Sequence, residues 1–161
     1  MIISEKNKKD FLTKISIFFA TGFYVGYIKY APGTFGTLVT FIFYFFVKDL
    51  ETLEFLFFFL ILILLSLFFI KKASQSFEEI DSGKIVLDEI LAFLPLIFIF
   101  DDSIFLFFLL FILFRFFDIV KPYPIKIIDL RMKNSVGVIL DDFVASAYTL
   151  ILILIIKFFY G

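Results

Sequence analysis

The chain contains no cysteine and no histidine. Without them there is no disulfide framework, no zinc–thiolate site and no iron–sulfur site. Phosphatases with a cysteine nucleophile, Ser-His-Asp hydrolases and enzymes that pass through phosphohistidine are excluded as well. Any chemistry must come from carboxylates, Lys and Arg, hydroxyls, backbone N–H groups or a metal. An excess of either charge is also missing: 15 Lys and Arg stand against 16 Asp and Glu, a net charge of -1. A nucleic-acid binder would be basic. No internal repeat is visible.

What the chain has in quantity is apolar surface. The hydrophobic fraction is 62%, with 29 phenylalanines in 161 residues, and the mean hydropathy is +1.07. Soluble domains are about 45–50% apolar, and a fold of this size could not hide the surplus. Lipid is therefore the expected solvent, and residues 1–161 read as a single membrane-embedded domain. The basic, then apolar, N-terminus has no clear small-residue cleavage site and reads as retained.

The hydrophobic runs predict an all-α integral membrane bundle, because lipid cannot satisfy free backbone groups. Five apolar helices are expected: Phe35–Val47, Leu53–Ile70, Ile85–Phe100, Ile104–Val120 and Val136–Phe159. An earlier run, Phe11–Ile28, is interrupted by Lys14, Gly22 and Gly26 and reads as a span, a re-entrant piece or an interfacial helix. Ala73–Ile80 reads as a polar surface helix, Asp101-Asp102-Ser103 as a tight loop and Lys121–Ser135 as a polar loop.

Alternating crossings gather distant residues at one membrane face: Pro32–Thr34, Asp88 and Glu89, Arg115, Asp118 and Lys121, and Asp141 and Asp142. The same face takes Lys29, Lys71, Lys72, Lys84, Lys126, Arg131 and Lys133, against Lys48 and Lys157 on the other. The positive-inside rule makes the charged face cytoplasmic.

Five carboxylates just inside apolar runs are costly. An acid at the centre of a membrane helix costs roughly 2.5–3.5 kcal/mol, and less near the ends. Hard oxygen ligands without His or Cys suit Mg²⁺, with Mn²⁺ as a substitute. The alternative is that each acid merely favours a helix N-terminus. Arg115, Asp118 and Lys121, spaced i, i+3, i+6, share a helix face. They form either an ion-pair ladder or a phosphate site around a metal-binding Asp118. Gly33, Thr34 and Thr37 open a helix whose free N–H groups could meet an anion. Gly33, Gly36, Thr37 and Thr40 equally make a small-residue packing stripe, and Asp142, Ala145, Ser146 and Thr149 make a second. Metal and cations at headgroup depth point to phosphoryl chemistry on a lipid, without choosing hydrolysis over transfer.

These motifs, in this order, resemble the phosphatidylglycerophosphatase A family. The matching pieces are Pro32–Thr37, Ile85–Glu89, Phe114–Ile125 and Gly137–Asp142. Asp81 and Asp129 also fall where the family tends to carry acids. The chain departs from the pattern with Thr37 for Ser, Ala92 and Ser146 for Gly, and Asn134-Ser135 where glycines are common. The resemblance implies a Mg²⁺-dependent enzyme of the bacterial inner membrane, its site facing the cytoplasm. It would hydrolyse phosphatidylglycerophosphate to phosphatidylglycerol and phosphate, a step of phospholipid synthesis. Asp88, Glu89, Asp118, Asp141 and Asp142 would be the metal and catalytic acids, and Arg115 and Lys121 the phosphate ligands. Competing readings are a lipid phosphotransferase of the CDP-alcohol type and a small cation transporter.

Overall fold

The computed structural model describes residues 2–77, 82–100 and 103–160, with side chains from Asp10 to Phe159. Among them are seven α-helices and no strand: α1 Ile2–Ala20, α2 Pro32–Val47, α3 Thr52–Ser74, α4 Leu87–Ile99, α5 Ile104–Val120, α6 Ile125–Arg131 and α7 Ser135–Tyr160. Two helices, Thr52–Ser74 and Ser135–Phe159, are long and apolar enough to cross a membrane.

The N-terminal run does not continue as one helix to Ile28. It stops at Ala20, because the Thr21 hydroxyl donates to Ile17 O at 2.8 Å and accepts from Tyr24 N at 3.2 Å. Gly22, Phe23 and Tyr24 then all take positive φ and turn the chain. Gly26 follows in a 3₁₀ turn, Val25–Tyr27, where a Cβ would run into the Lys84 carbonyl oxygen. The turn brings the end of α1 to the start of α4, where Val86 N donates to Ala20 O at 3.0 Å.

Pro32 occupies the first turn of α2, where its missing N–H costs nothing. Gly33, Gly36, Thr37 and Thr40 are buried along α2. A methyl on Gly36 would lie 2.6 Å from Val86 Cβ, and Thr40 Oγ1 donates to Ile90 O of α4 at 3.4 Å. The stripe is thus a close-packing surface against α4.

A Glu51–Glu54 capping box starts α3, and Lys71 and Lys72 fall in its last turn. Ala73 and Ser74 finish this helix and Gln75–Phe77 turn away, so no separate surface helix starts at Ala73. The remainder of that expected element, through Ile80, lies outside the described residues, as do Asp81, Asp101 and Asp102.

The central element is α4. Ile90, Leu91, Ala92, Phe93, Leu94, Leu96 and Ile97 are all buried, the mark of a helix enclosed on every side. It packs against α2, α3, α5 and α7. Ser103 caps α5 by accepting from Leu106 N at 3.2 Å, and Lys121 closes that helix in the left-handed conformation. The segment expected as a polar loop contains a short helix, α6, laid against α7. Tyr148 Oη donates to Tyr123 O at 2.7 Å and pins the segment's start. Asn134 Oδ1 accepts from Val136 N and Gly137 N and begins α7. Asp142, Ala145, Ser146 and Thr149 are all buried on α7.

Candidate active site

Three helices bring their charged ends together at one end of the bundle. The first turn of α4 supplies Asp88 and Glu89, and the last turns of α5 supply Arg115 and Asp118. Lys121 caps α5, and α7 supplies Asp141 and Asp142 two turns in. Asp88, Glu89 and Asp142 each offer one oxygen, and the three atoms lie within 4.8 Å of one another. Asp88 and Asp142 are buried, at 7% and 4% exposure. Asp88 Oδ1 and Glu89 Oε2 are buried with no hydrogen-bond partner. Unpaired buried acceptors are costly, and here they sit where a shared ligand could satisfy both. An all-oxygen donor set of this kind fits a hard divalent cation.

Arg115 is the cation of this group. Its Nη1 lies 2.7 Å from Asp118 Oδ2 and 3.6 Å from Glu89 Oε1 in ion pairs, yet Nη1 and Nε are both buried without a hydrogen-bond acceptor among the described residues. Asp118 and Glu89 thus flank the guanidinium, and Asp88 and Asp142 lie beside Glu89. Gly33 closes one side, since a Cβ there would collide with Glu89 Oε1 and lie 3.1 Å from Arg115 Nη1. Thr34 is half-buried beside it. Thr37 is fully buried and gives its hydroxyl proton to Gly33 O at 2.9 Å, which commits that donor within α2.

A second group lies alongside. Lys121 Nζ is 2.7 Å from Asp141 Oδ2 and 3.2 Å from Asp129 Oδ1, and Lys133 Nζ is 3.5 Å from the same Asp129 oxygen. Burial favours neutral Lys121, but its hydrogen bonds and charge contacts with Asp141 and Asp129 outweigh this and raise its pKa. Burial likewise pushes Asp129 up, yet Lys121 and Lys133 win and hold it below the usual carboxylate range. Sequence reasoning placed Lys133 among the cations of the charged face but not at the site. The signal was its i,i+4 spacing from Asp129. Asp81 lies outside the described residues.

The molecule is thus an apolar helical protein with a buried, oxygen-rich acid cluster held beside one arginine. The chain belongs to the phosphatidylglycerophosphatase A family, whose sequence profile matches residues 18–157. Phosphatidylglycerophosphatase A of Haemophilus influenzae is 44% identical over 48 residues, covering 30% of this chain and 29% of that protein. A Bacteroides thetaiotaomicron protein, provisionally named phosphatidylinositol-3-phosphatase, is 34% identical over 84 residues, covering 50% of this chain and 52% of its own length. The chain thus spans about half or less of these curated relatives. No solved structure matches.

Proposed function

We propose that this protein is a Mg²⁺-dependent lipid phosphatase that hydrolyses phosphatidylglycerophosphate to phosphatidylglycerol and inorganic phosphate. The observation that carries the reading is the Asp88–Glu89–Asp142 cluster, with its orphaned oxygens, next to Arg115. Family membership supplies the substrate class. Asp88, Glu89 and Asp142 would hold the metal, and Mn²⁺ would substitute for it. When bound, the ion supplies Lewis acidity and neutralises phosphate charge. The ion pair with Asp118 holds Arg115 in place, and its Nη1 and Nε both have an N–H left to donate to a phosphate oxygen. Lys121, held by Asp141 and Asp129, keeps a permanent positive charge at the rim of the site. Burial of the cluster keeps bulk water away from these groups and strengthens their hold on an anion.

In this reading water, not a carboxylate, attacks phosphorus. A single turnover in heavy-oxygen water would then label phosphate and leave Asp88 and Asp118 unlabelled. Five helices, α2, α3, α4, α5 and α7, cross the inner membrane, and the excess of Lys and Arg at the acid end faces that end to the cytoplasm.

The Bacteroides relative favours a second substrate of the same chemistry, phosphatidylinositol 3-phosphate. The deciding experiment is phosphate release from either lipid in mixed micelles, with Mg²⁺, with chelator, and with Asp142→Asn. Release from phosphatidylglycerophosphate that needs both metal and Asp142 supports the proposal. Faster release from the inositol lipid replaces the substrate, and metal-independent release overturns the site.

A further inference from the structure

We propose that the helices framing the acid cluster also hold an acyl chain of the lipid substrate, in a separate apolar cavity farther along α2, α4 and α5. The inference rests on the lipid-phosphatase reading and adds a binding site to it. The cavity encloses about 130 Å³ and is lined by Phe41 and Tyr44 of α2, Ile97 and Phe100 near the end of α4, and Ile104 and Phe107 of α5. That size is comparable to the roughly 150 Å³ apolar cavities that stay dry and accept hydrocarbon rings. Its remaining lining residue, Ser103, already uses its hydroxyl to cap α5. Among the described residues no charged side chain lines it, and that lining suits a hydrocarbon.

The register of the three helices ties the cavity to the acids. Gly33 and Phe41 are eight residues apart on α2, Glu89 and Ile97 on α4, and Arg115 and Phe107 on α5. At 1.5 Å per residue each offset is about 12 Å, and all three lead away from the acid end. A lipid whose phosphate lies beside Arg115 would send its chain in this direction. The intervening surface is aromatic. Phe93, one turn beyond Glu89, meets the rings of Phe107, Phe111 and Phe114 at 5.7, 6.3 and 5.4 Å. Phe41 reaches across from α2 to Phe107 edge-to-face at 5.3 Å. These two rings mark the narrow point between α2 and α5, and Phe41 is 39% exposed on its outer side.

The test compares dihexanoyl with dioleoyl phosphatidylglycerophosphate in mixed micelles, because the short chains end before the cavity and the long ones pass it. Ile104→Trp narrows the cavity. Ile112→Trp, on the same helix at nearly the same exposure, 61% against 64%, lines no part of it and serves as control. Ile104→Trp is expected to raise KM for the dioleoyl lipid about tenfold, roughly the worth of two buried methylenes. Its kcat and its KM for the dihexanoyl lipid stay at the wild-type values, which also reports that the protein is folded. Equal effects on both chain lengths, or on neither, overturn the proposal. Should Ile104→Trp fail to fold, Ile104→Phe gives the same comparison at smaller volume. Wild-type protein that hydrolyses neither lipid would count against the functional reading. The cavity would then be judged by photocrosslinking alone, using a long-chain phosphatidic acid with a mid-chain diazirine. Labelling of Ile97 or Phe107 supports the site, and labelling confined to outer residues such as Ile112 rejects it.

Discussion

Asp141 and Asp142 are neighbours in sequence and belong to different assemblies. Asp141 points one oxygen at Lys121, in a group where Asp129 and Lys133 complete a balanced set of two acids and two bases. Asp142 joins Asp88 and Glu89, where acids outnumber bases and two oxygens have no partner. Successive residues on a helix diverge by about 100°, so adjacency in sequence separates side chains. Among the described residues the first group pairs its charges and reads as architecture holding Lys121. The unbalanced group leaves buried acceptors without a partner, and that is the contrast on which the proposed site rests.

The sharpest way to break this contrast is Asp142→Asn. Activity should fall about a thousandfold. Stabilisation by added Mn²⁺, seen as a rise in Tm, should disappear with it, since a ligand that no longer binds no longer stabilises. Asp141→Asn should behave differently. We expect a loss of about ten- to a hundredfold, the range for a supporting partner, with the Mn²⁺-dependent rise in Tm retained. If both variants lose the metal response equally, the division between the groups is wrong. Gly33→Ala should lower activity about tenfold and weaken Mn²⁺ binding by a similar factor, because its methyl must displace Glu89. Wild-type Mn²⁺ affinity in that variant would show that α2 yields instead.

The smallest effects belong to the rim. Lys133→Ala removes a bridge whose lysine is 52% exposed, and should change stability by less than about 1 kcal/mol in denaturant titrations. Asp129 has a lowered pKa in the folded protein. Its contribution is therefore present above the unfolded value of about 3.9 and lost as pH falls through the folded one. Asp129→Asn should flatten the acid limb of a Tm-against-pH curve below about pH 4 while leaving activity near neutrality within about tenfold. A curve of unchanged slope would show that the ion pairs at Asp129 do not stabilise the fold.

The all-helical class was legible in the long apolar runs. Long apolar runs such as Leu53–Ile70 have one economical structure in lipid, and alternation alone brings Asp88, Asp118 and Asp142 to one end. The places where the sequence misled are local. Apolar character continues past Ala20, but Thr21 closes the helix with its own hydroxyl and three positive-φ residues turn the chain. The polar stretch after Lys121 hides a seven-residue helix, since α6 depends on packing against α7 and not on its own periodicity. At the site, residue types and their shared end could be read off the chain. The partition of those residues could not, because it depends on side-chain directions that only packing fixes. Gly33 was read both for its N–H and as part of a packing stripe, and the structure adds the space it leaves for Glu89.

The brevity of α4 has a mechanical consequence. Its 13 residues make a rod about 20 Å long, whereas the 23 residues of α3 make one of about 35 Å. A bilayer's hydrocarbon layer is about 30 Å thick. In the membrane setting proposed above, α3 is long enough for that thickness and α4 is not. A bilayer around the proposed arrangement would dimple where the acids sit, drawing headgroups and water inward at a modest cost per ångström. The host bilayer would then be a working part of the protein. Thickening it with longer or more ordered lipids deepens the dimple and raises that cost, and turnover should slow even though no residue and no substrate has changed.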